Sequence, residues 1–221
     1  MEIQVQTQIW EENDRIAEEL AEKWQDQGTL VLNLLGSPGA GKTTFLEKTL
    51  DILKDRYRIG VIEGDLFTAQ DAERIKAKGI EAVQINTGGG CHLDAPMVRE
   101  ALKQLSEGPF DLLVIENVGN LVCPAEFYLG EDHKVTLLSV TEGEDKPLKY
   151  PLIFKESAFV GLTKSDLLPH LDYQLDRVLK DLGHLNPKGE VVTLSSRSGE
   201  NMEKWFTWLE TNIRMKQEGK R

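Results

Sequence analysis

Residues 36–44 read Gly-Ser-Pro-Gly-Ala-Gly-Lys-Thr-Thr, with the last glycine directly ahead of Lys42 and Thr43. Glycine, four residues, glycine, lysine, threonine is a spacing that lets a backbone wrap a polyphosphate. Glycines allow successive N–H groups to turn inward on anionic oxygens, and the lysine adds a cation. Gly36, Ser37, Pro38, Gly39, Ala40, Gly41, Lys42, Thr43 and Thr44 are therefore candidate nucleotide contacts. Lys42 would reach the β- and γ-phosphates, and the Thr43 hydroxyl would hold Mg²⁺. The motif follows the apolar run LVLNLL (30–35) and precedes a helical pattern over about 43–54, the setting it requires.

Mg²⁺ takes hard oxygen donors, a few carboxylates beside water and phosphate. Two acidic strand ends offer them. DLLVIEN (111–117) carries Glu116 near its end, with Gly119 three residues on and placed to present its N–H to a γ-phosphate. VIEGD (61–65) carries Glu63 and Asp65; Asp65 is assigned to the magnesium site and Glu63 kept as the alternate. Lys42, Thr43, Asp65 and Glu116 are the candidate catalytic set. After SAFVGL (157–162) comes Thr163-Lys164-Ser165-Asp166, close to the Asn-Lys-x-Asp motif in which the carboxylate reads guanine N1–H and its amino group. Thr163 replaces the asparagine, so the side-chain amide that braces the phosphate loop in that motif is lost. Ser195, Ser196 and Arg197 follow the last strand and resemble a loop whose backbone touches guanine O6. Lys-x-Asp also serves as a plain helix cap. The two matches together, in order and each after a strand, favour GTP over ATP.

The stretch NTGGGCHLDA (86–95) sets Cys91 and His92 behind three glycines, and Cys123 is the one other cysteine of the chain. Thiolate and imidazole suit Zn²⁺, Ni²⁺ or Cu⁺ rather than Mg²⁺. Three ligands leave a coordination sphere open, for water, a client or a symmetric second copy. Burial of Cys123 as a small hydrophobe and capping by His92 of a helix starting near Asp94 explain the same residues. Spacing alone leaves both readings standing.

Strand-like runs at 30–35, 57–63, 81–86, 111–117, 134–140, 157–162 and 190–195 alternate with helical patterns at 69–79, 95–108, 165–183 and 201–217. This order predicts an α/β fold, a mostly parallel sheet with helices on both faces. An amphipathic helix over 8–27 leads the chain, giving a 1–28 helical extension and a 29–221 nucleotide-binding domain. Twenty-six basic against 37 acidic residues give a net charge of −11, which argues against nucleic-acid binding. The absence of a long apolar run and of a basic, apolar leader argues against a membrane span and a secretory signal. With two cysteines, a reducing cytoplasmic location is expected.

The set GSPGAGKT, VIEGDL, DAERI, NTGGGCHLDA, ENVGNLVCPA and EGEDKPLKYP, in order from about Val31 to Ser198, resembles the HypB family. These are the nickel-incorporation GTPases of nickel-iron hydrogenase maturation. The resemblance implies a SIMIBI-class P-loop GTPase whose dimerisation is linked to GTP. It implies that Cys91, His92 and Cys123 form a nickel or zinc site at the homodimer interface. It also implies two partners, the metallochaperone HypA and the hydrogenase large-subunit precursor. Residues 1–30 hold no cysteine or histidine and the four histidines are scattered, so nickel handling would rest on Cys91, His92 and Cys123 alone. No Gln or Arg finger stands out, which predicts slow intrinsic hydrolysis. Lys146 and Lys149, in DKPLKYP (145–151), are read as a solvated loop. Rival readings are a small-molecule kinase, which needs an arginine-rich lid that residues 120–160 of this chain do not offer; a urease-type nickel GTPase, whose Cys-Pro-His motif this chain lacks; and a non-enzymatic nucleotide-binding module.

Overall fold

Side chains on a strand alternate faces, and the β1 segment (Leu30–Gly36) is apolar on both apart from Asn33. Such a strand belongs in the middle of a sheet covered on both sides. The computed structural model describes residues 4–65, 70–106 and 108–219. It places β1 at the centre of a seven-stranded sheet ordered β3-β2-β4-β1-β5-β6-β7. The other strands are β2 (Ile59–Asp65), β3 (Glu81–Asn86), β4 (Leu112–Glu116), β5 (His133–Ser139), β6 (Ser157–Thr163) and β7 (Glu190–Thr193). Every pairing is parallel, so the expected α/β architecture holds without an antiparallel edge.

Leu30, Leu32 and Leu34 face α2 (Lys42–Leu53) and α9 (Met202–Gln217), where Phe45, Leu50, Trp205 and Leu209 close one core. Val31 faces the other way, toward α1 (Gln4–Gln27) and α4 (Ala95–Leu102), with Ile16, Leu20, Trp24 and Val98. A third core, around Leu138, Val160 and Leu162, lies under α7 (Pro151–Lys155) and α8 (Leu175–Leu185). Trp205 shows what fixes the first layer. Its ring lies 4.7 Å from Phe45 and 5.0 Å from Phe159, and its indole N–H donates to Thr49 Oγ1 at 2.9 Å. The large apolar surface is buried and its one polar atom satisfied.

Several expected boundaries move. The helix expected over 165–183 splits into a 3₁₀ turn (Ser165–His170) and α8. Pro169 cannot extend an α-helix, and Leu171 turns to extended backbone (φ −121°, ψ 145°). The helix expected over 95–108 ends at Leu102. The helix expected over 69–79 is seen as α3 (Gln70–Lys76), with residue 69 outside the described residues. DKPLKYP is not an open loop: it forms α6 (Lys146–Lys149) and the start of α7. There Lys149 Nζ sits 2.5 Å from Asp145, and Lys146 Nζ lies 5.4 Å from the centre of the Tyr150 ring.

For function, the key neighbour relation is β4 beside β1, with Leu34 in register with Glu116. Loops leaving the carboxyl ends of these strands must share one crevice.

Candidate nucleotide and metal site

The phosphate loop leaves β1 at Gly36, whose φ of +149° and approach to the Leu137 carbonyl exclude any side chain: a Cβ there would lie 2.6 Å from that oxygen. The loop ends at Gly41 in left-handed backbone (φ 91°), and α2 begins at Lys42 with its positive end toward the loop. Lys42 is buried, its ammonium donating to the Gly36 carbonyl at 3.2 Å and to the Ser37 carbonyl at 3.4 Å. Ser37 Oγ donates to the Glu142 carboxylate, whose other oxygen accepts from Ser139 N at 3.0 Å. A cleft of about 500 Å³ opens here. Pro38, Gly39, Gly41, Lys42, Thr43, Thr44, Glu63, Asp65, Glu116, Gly119 and Lys164 line it, together with Gly64, Arg74, Asn117 and Val118.

One end of the cleft suits a hard cation. Thr43 Oγ1 donates to Glu116 Oε1 at 3.0 Å. Glu63 stands in register with Glu116 on the adjoining strand, and both are buried. Asp65, at the end of β2, is partly exposed at the rim. A hydroxyl and three carboxylates around a phosphate loop match what Mg²⁺ prefers. Gly119 comes so close to Pro38 that a Cβ would meet the ring carbon Cγ at 2.9 Å, which keeps its backbone against the phosphate loop. Arg74 reaches the cleft from α3, with its guanidinium on Glu47 at 2.6 Å.

Beside the cleft, after β6, stands the Thr163-Lys164-Ser165-Asp166 segment. Asp166 Oδ1 accepts from the Ser195 hydroxyl at 2.5 Å, and Ser195 Oγ accepts in turn from Ser198 N at 3.1 Å. The Ser195–Arg197 turn is thereby tied to Asp166, with Ser196 half-buried and Arg197 exposed. Asp166, Ser195, Ser196 and Arg197 are not among the residues lining the phosphate cleft; Lys164, whose Nζ donates to Gly39 O at 2.7 Å, joins the two parts. Thr163 corrects an expectation. The brace assigned to the missing asparagine is present: Thr163 Oγ1, fully buried, donates to Ala40 O at 2.7 Å. Thr163→Val removes that donor at constant shape and is expected to weaken GDP binding by roughly tenfold, about 1.4 kcal/mol, in a fluorescence titration.

Cys91, His92 and Cys123 come together, with their ligand atoms within 4.8 Å of one another. Cys91 Sγ lies 3.5 Å from His92 Nδ1. Cys91 is exposed and Cys123 half-buried, so neither thiol is a core hydrophobe. The cap of α4 is Asp94, which accepts from Met97 N at 2.8 Å; His92 does not cap it. The neighbouring Cys123 thiol, and then burial, hold the Cys91 thiol above its usual range, while burial lowers His92 and favours the neutral, metal-ready imidazole. Two sulfurs and an imidazole are the donor set of a transition ion.

The chain as a whole has relatives among known nucleotide-binding proteins. The CobW/HypB/UreG nucleotide-binding domain matches residues 30–193. The hydrogenase maturation factor HypB of Rhizobium leguminosarum is 51% identical over 210 residues, covering 95% of this chain and 70% of that protein. That of Escherichia coli K12 is 49% identical over 209 residues, covering 95% and 72%. The chain belongs to the HypB family. The crystal structure of HypB from Archaeoglobus fulgidus superposes with a TM-score of 0.85 at 37% identity, covering 91% of this chain and 98% of that one. HypB from Helicobacter pylori, solved in complex with nickel, gives 0.85 at 40%, covering 92% and 95%. The HypB match extends the parallel-sheet reading to the P-loop class named from the motifs.

Sequence reading missed three contributors. Arg74 sits on a helix whose spacing marks only an exposed face. Asn117 lies between Glu116 and Val118, yet its Oδ1 accepts from Leu93 N at 3.0 Å and from Val118 N at 2.9 Å. Its Nδ2 donates to Asn33 Oδ1 at 3.1 Å, and Asn33 donates to Glu131 at 3.2 Å. Burial raises the Glu131 carboxyl, partly offset by Lys134. Asn13, on α1, accepts from Ala95 N. Lys146 and Lys149 do not line the cleft. Among the described residues, no helix is long and apolar enough to cross a membrane.

Proposed function

We propose that this chain is a GTP-hydrolysing metal carrier that loads nickel into the large subunit of a nickel-iron hydrogenase. Cys91, His92 and Cys123 would hold the metal, nickel as cargo or zinc, and a GTP-linked homodimer would complete its coordination. HypA would be the companion chaperone, the large-subunit precursor the client, and the cytoplasm the location. One observation carries the reading. The Asn117 side chain accepts the backbone N–H of Leu93, next to His92, and that of Val118, next to Gly119. The loop that meets a terminal phosphate and the loop that bears two metal ligands therefore hang on one carbonyl oxygen.

The chemistry follows from the residues. The Lys42 ammonium and the loop N–H groups neutralise and position the phosphates. Thr43, Asp65 and Glu116, with Glu63 beside them, would hold Mg²⁺, which would supply charge neutralisation at the phosphates. Asp166 and Lys164 would select guanine. Gly119 would sense the γ-phosphate, and its movement, passed through Asn117 to Leu93, would shift Cys91 and His92 relative to Cys123. Hydrolysis would then change the grip on the metal. Arg74 is the one guanidinium lining the cleft among the described residues, and its link to Glu47 holds it on α2. Intrinsic turnover would accordingly be slow. A urease role has support of its own in a Helicobacter hepaticus hydrogenase/urease maturation factor, 43% identical over 212 residues.

Titration with Ni²⁺ and Zn²⁺ in GDP and in a non-hydrolysable GTP analogue, with molecular mass read in the same samples, tests this. Metal affinity is expected to differ by about tenfold or more between the two nucleotides, a coupling of about 1.4 kcal/mol, with a larger species in the analogue. Equal affinities in both states would sink the proposal.

A further inference from the structure

Asn13 is 2% exposed in the middle of α1, a position where an apolar residue would pack against the sheet as Ile16 and Leu20 do. Burying a primary amide there is unfavourable unless it is hydrogen-bonded. Both ends of the amide are used. Oδ1 accepts from Ala95 N at 2.9 Å, and Nδ2 donates to Tyr128 O at 2.9 Å. Ala95 begins α4 just after Cys91 and His92, and Tyr128 follows the short helix α5 (Cys123–Glu126) that begins at Cys123. One side chain from a third element thus spans the two segments that carry the soft ligands.

The same helix backs the imidazole through Phe127. The His92 ring stacks on Phe127 with centroids 3.9 Å apart and an interplanar angle of 26°. Phe127 is backed by Trp10 of α1, at 4.8 Å and 26°. The stack fixes the plane of the ring, and with it the direction in which Nδ1 points toward Cys91. Phe127 lies between Cys123 and the Asn13 contact at Tyr128, so clasp and stack act on one short stretch of chain.

We propose that α1 is the positioning element of the Cys91/His92/Cys123 centre: Asn13 sets the separation of its two ligand loops, and the Trp10–Phe127 pair sets the orientation of His92. This rests on the metal-site reading above. Neither Asn13 nor Phe127 belongs to the cluster of ligand atoms, so each would act on the metal only through Cys91, His92 and Cys123. Residues that orient ligands without binding the ion govern affinity, and their loss costs roughly 10- to 100-fold.

The test uses Zn²⁺ competition against a chromophoric chelator, the Co²⁺ absorption spectrum and GDP affinity, on Asn13→Leu, Phe127→Leu and Cys91→Ala. Asn13→Leu and Phe127→Leu are each expected to lower Zn²⁺ affinity about tenfold or more, to shift the thiolate-to-Co²⁺ absorption band, and to leave GDP affinity within about twofold. A purely structural role would lower stability without moving the Co²⁺ band. If Asn13→Leu does not fold, the half-buried Phe127 decides alone. Folded variants with wild-type Zn²⁺ affinity and Co²⁺ spectrum would overturn the proposal, provided Cys91→Ala loses metal. If Cys91→Ala keeps full metal stoichiometry, the site assignment itself fails instead.

Discussion

Lys42→Ala is expected to lower GTP hydrolysis by at least about 100-fold, the typical cost of removing one preorganised charge donor from a transition state. The fold should survive. Both carbonyls that Lys42 contacts keep backbone partners, since Asn120 N donates to Gly36 O at 3.1 Å and Ala40 N donates to Ser37 O at 3.1 Å. Neither of these carbonyls is therefore stranded. The loss belongs to the chemistry: with the ammonium gone, the charge that develops on the β–γ bridge has one counter-charge fewer. Single-turnover hydrolysis with saturating protein, alongside a melting curve, checks this. A variant that melts like the wild type and hydrolyses within tenfold of it would place the phosphate-binding lysine elsewhere.

Asp166→Asn should cost about 100-fold or more in GDP affinity, because a buried hydrogen-bonding site rejects a mismatched partner far more strongly than a merely apolar one. A carboxylate accepts from both guanine N1–H and the exocyclic amino group. An amide can accept one of these and must point its own N–H at the other. Xanthine carries a carbonyl where guanine has the amino group, so the same substitution should shift preference toward xanthosine diphosphate. The surroundings should hold, since Ser195 Oγ can donate to an amide oxygen as it does to Asp166 Oδ1. Competition of the two diphosphates against a fluorescent guanine nucleotide reads the outcome. Guanine affinity retained within about threefold would mean that Asp166 serves only as a partner for Ser195.

What could be read from the chain was whatever is contiguous. GSPGAGKTT and its flanking strand and helix announce a phosphate loop, because spacing within nine residues fixes the backbone. Glu116 and the pair Cys91-His92 are visible for the same reason: each ends or follows an apolar run that must be a strand. The rest depends on contacts between distant segments. Thr163 and Ala40 are 123 positions apart, and Asn13 and Tyr128 are 115. A threonine in place of the motif's asparagine looks like a loss until the sheet brings β6 against the phosphate loop. There a shorter side chain reaches the same kind of carbonyl. Asn13 carries no signal, since its helix reads as an amphipathic extension whose polar residues are all solvent-facing. The break at Leu171 lay in plain sight at Pro169, but the apolar spacing on either side outweighed it.

Asn120 has its backbone N–H on the Gly36 carbonyl and its side-chain amide on the Cys91 carbonyl at 3.3 Å. The exposed Cys91 is thus one residue removed from the strand-to-loop junction that cradles a nucleotide. If the proposed switch holds, the rate at which a chromogenic thiol reagent modifies Cys91 in metal-free protein should differ between GDP and a GTP analogue, a reading that does not follow hydrolysis at all.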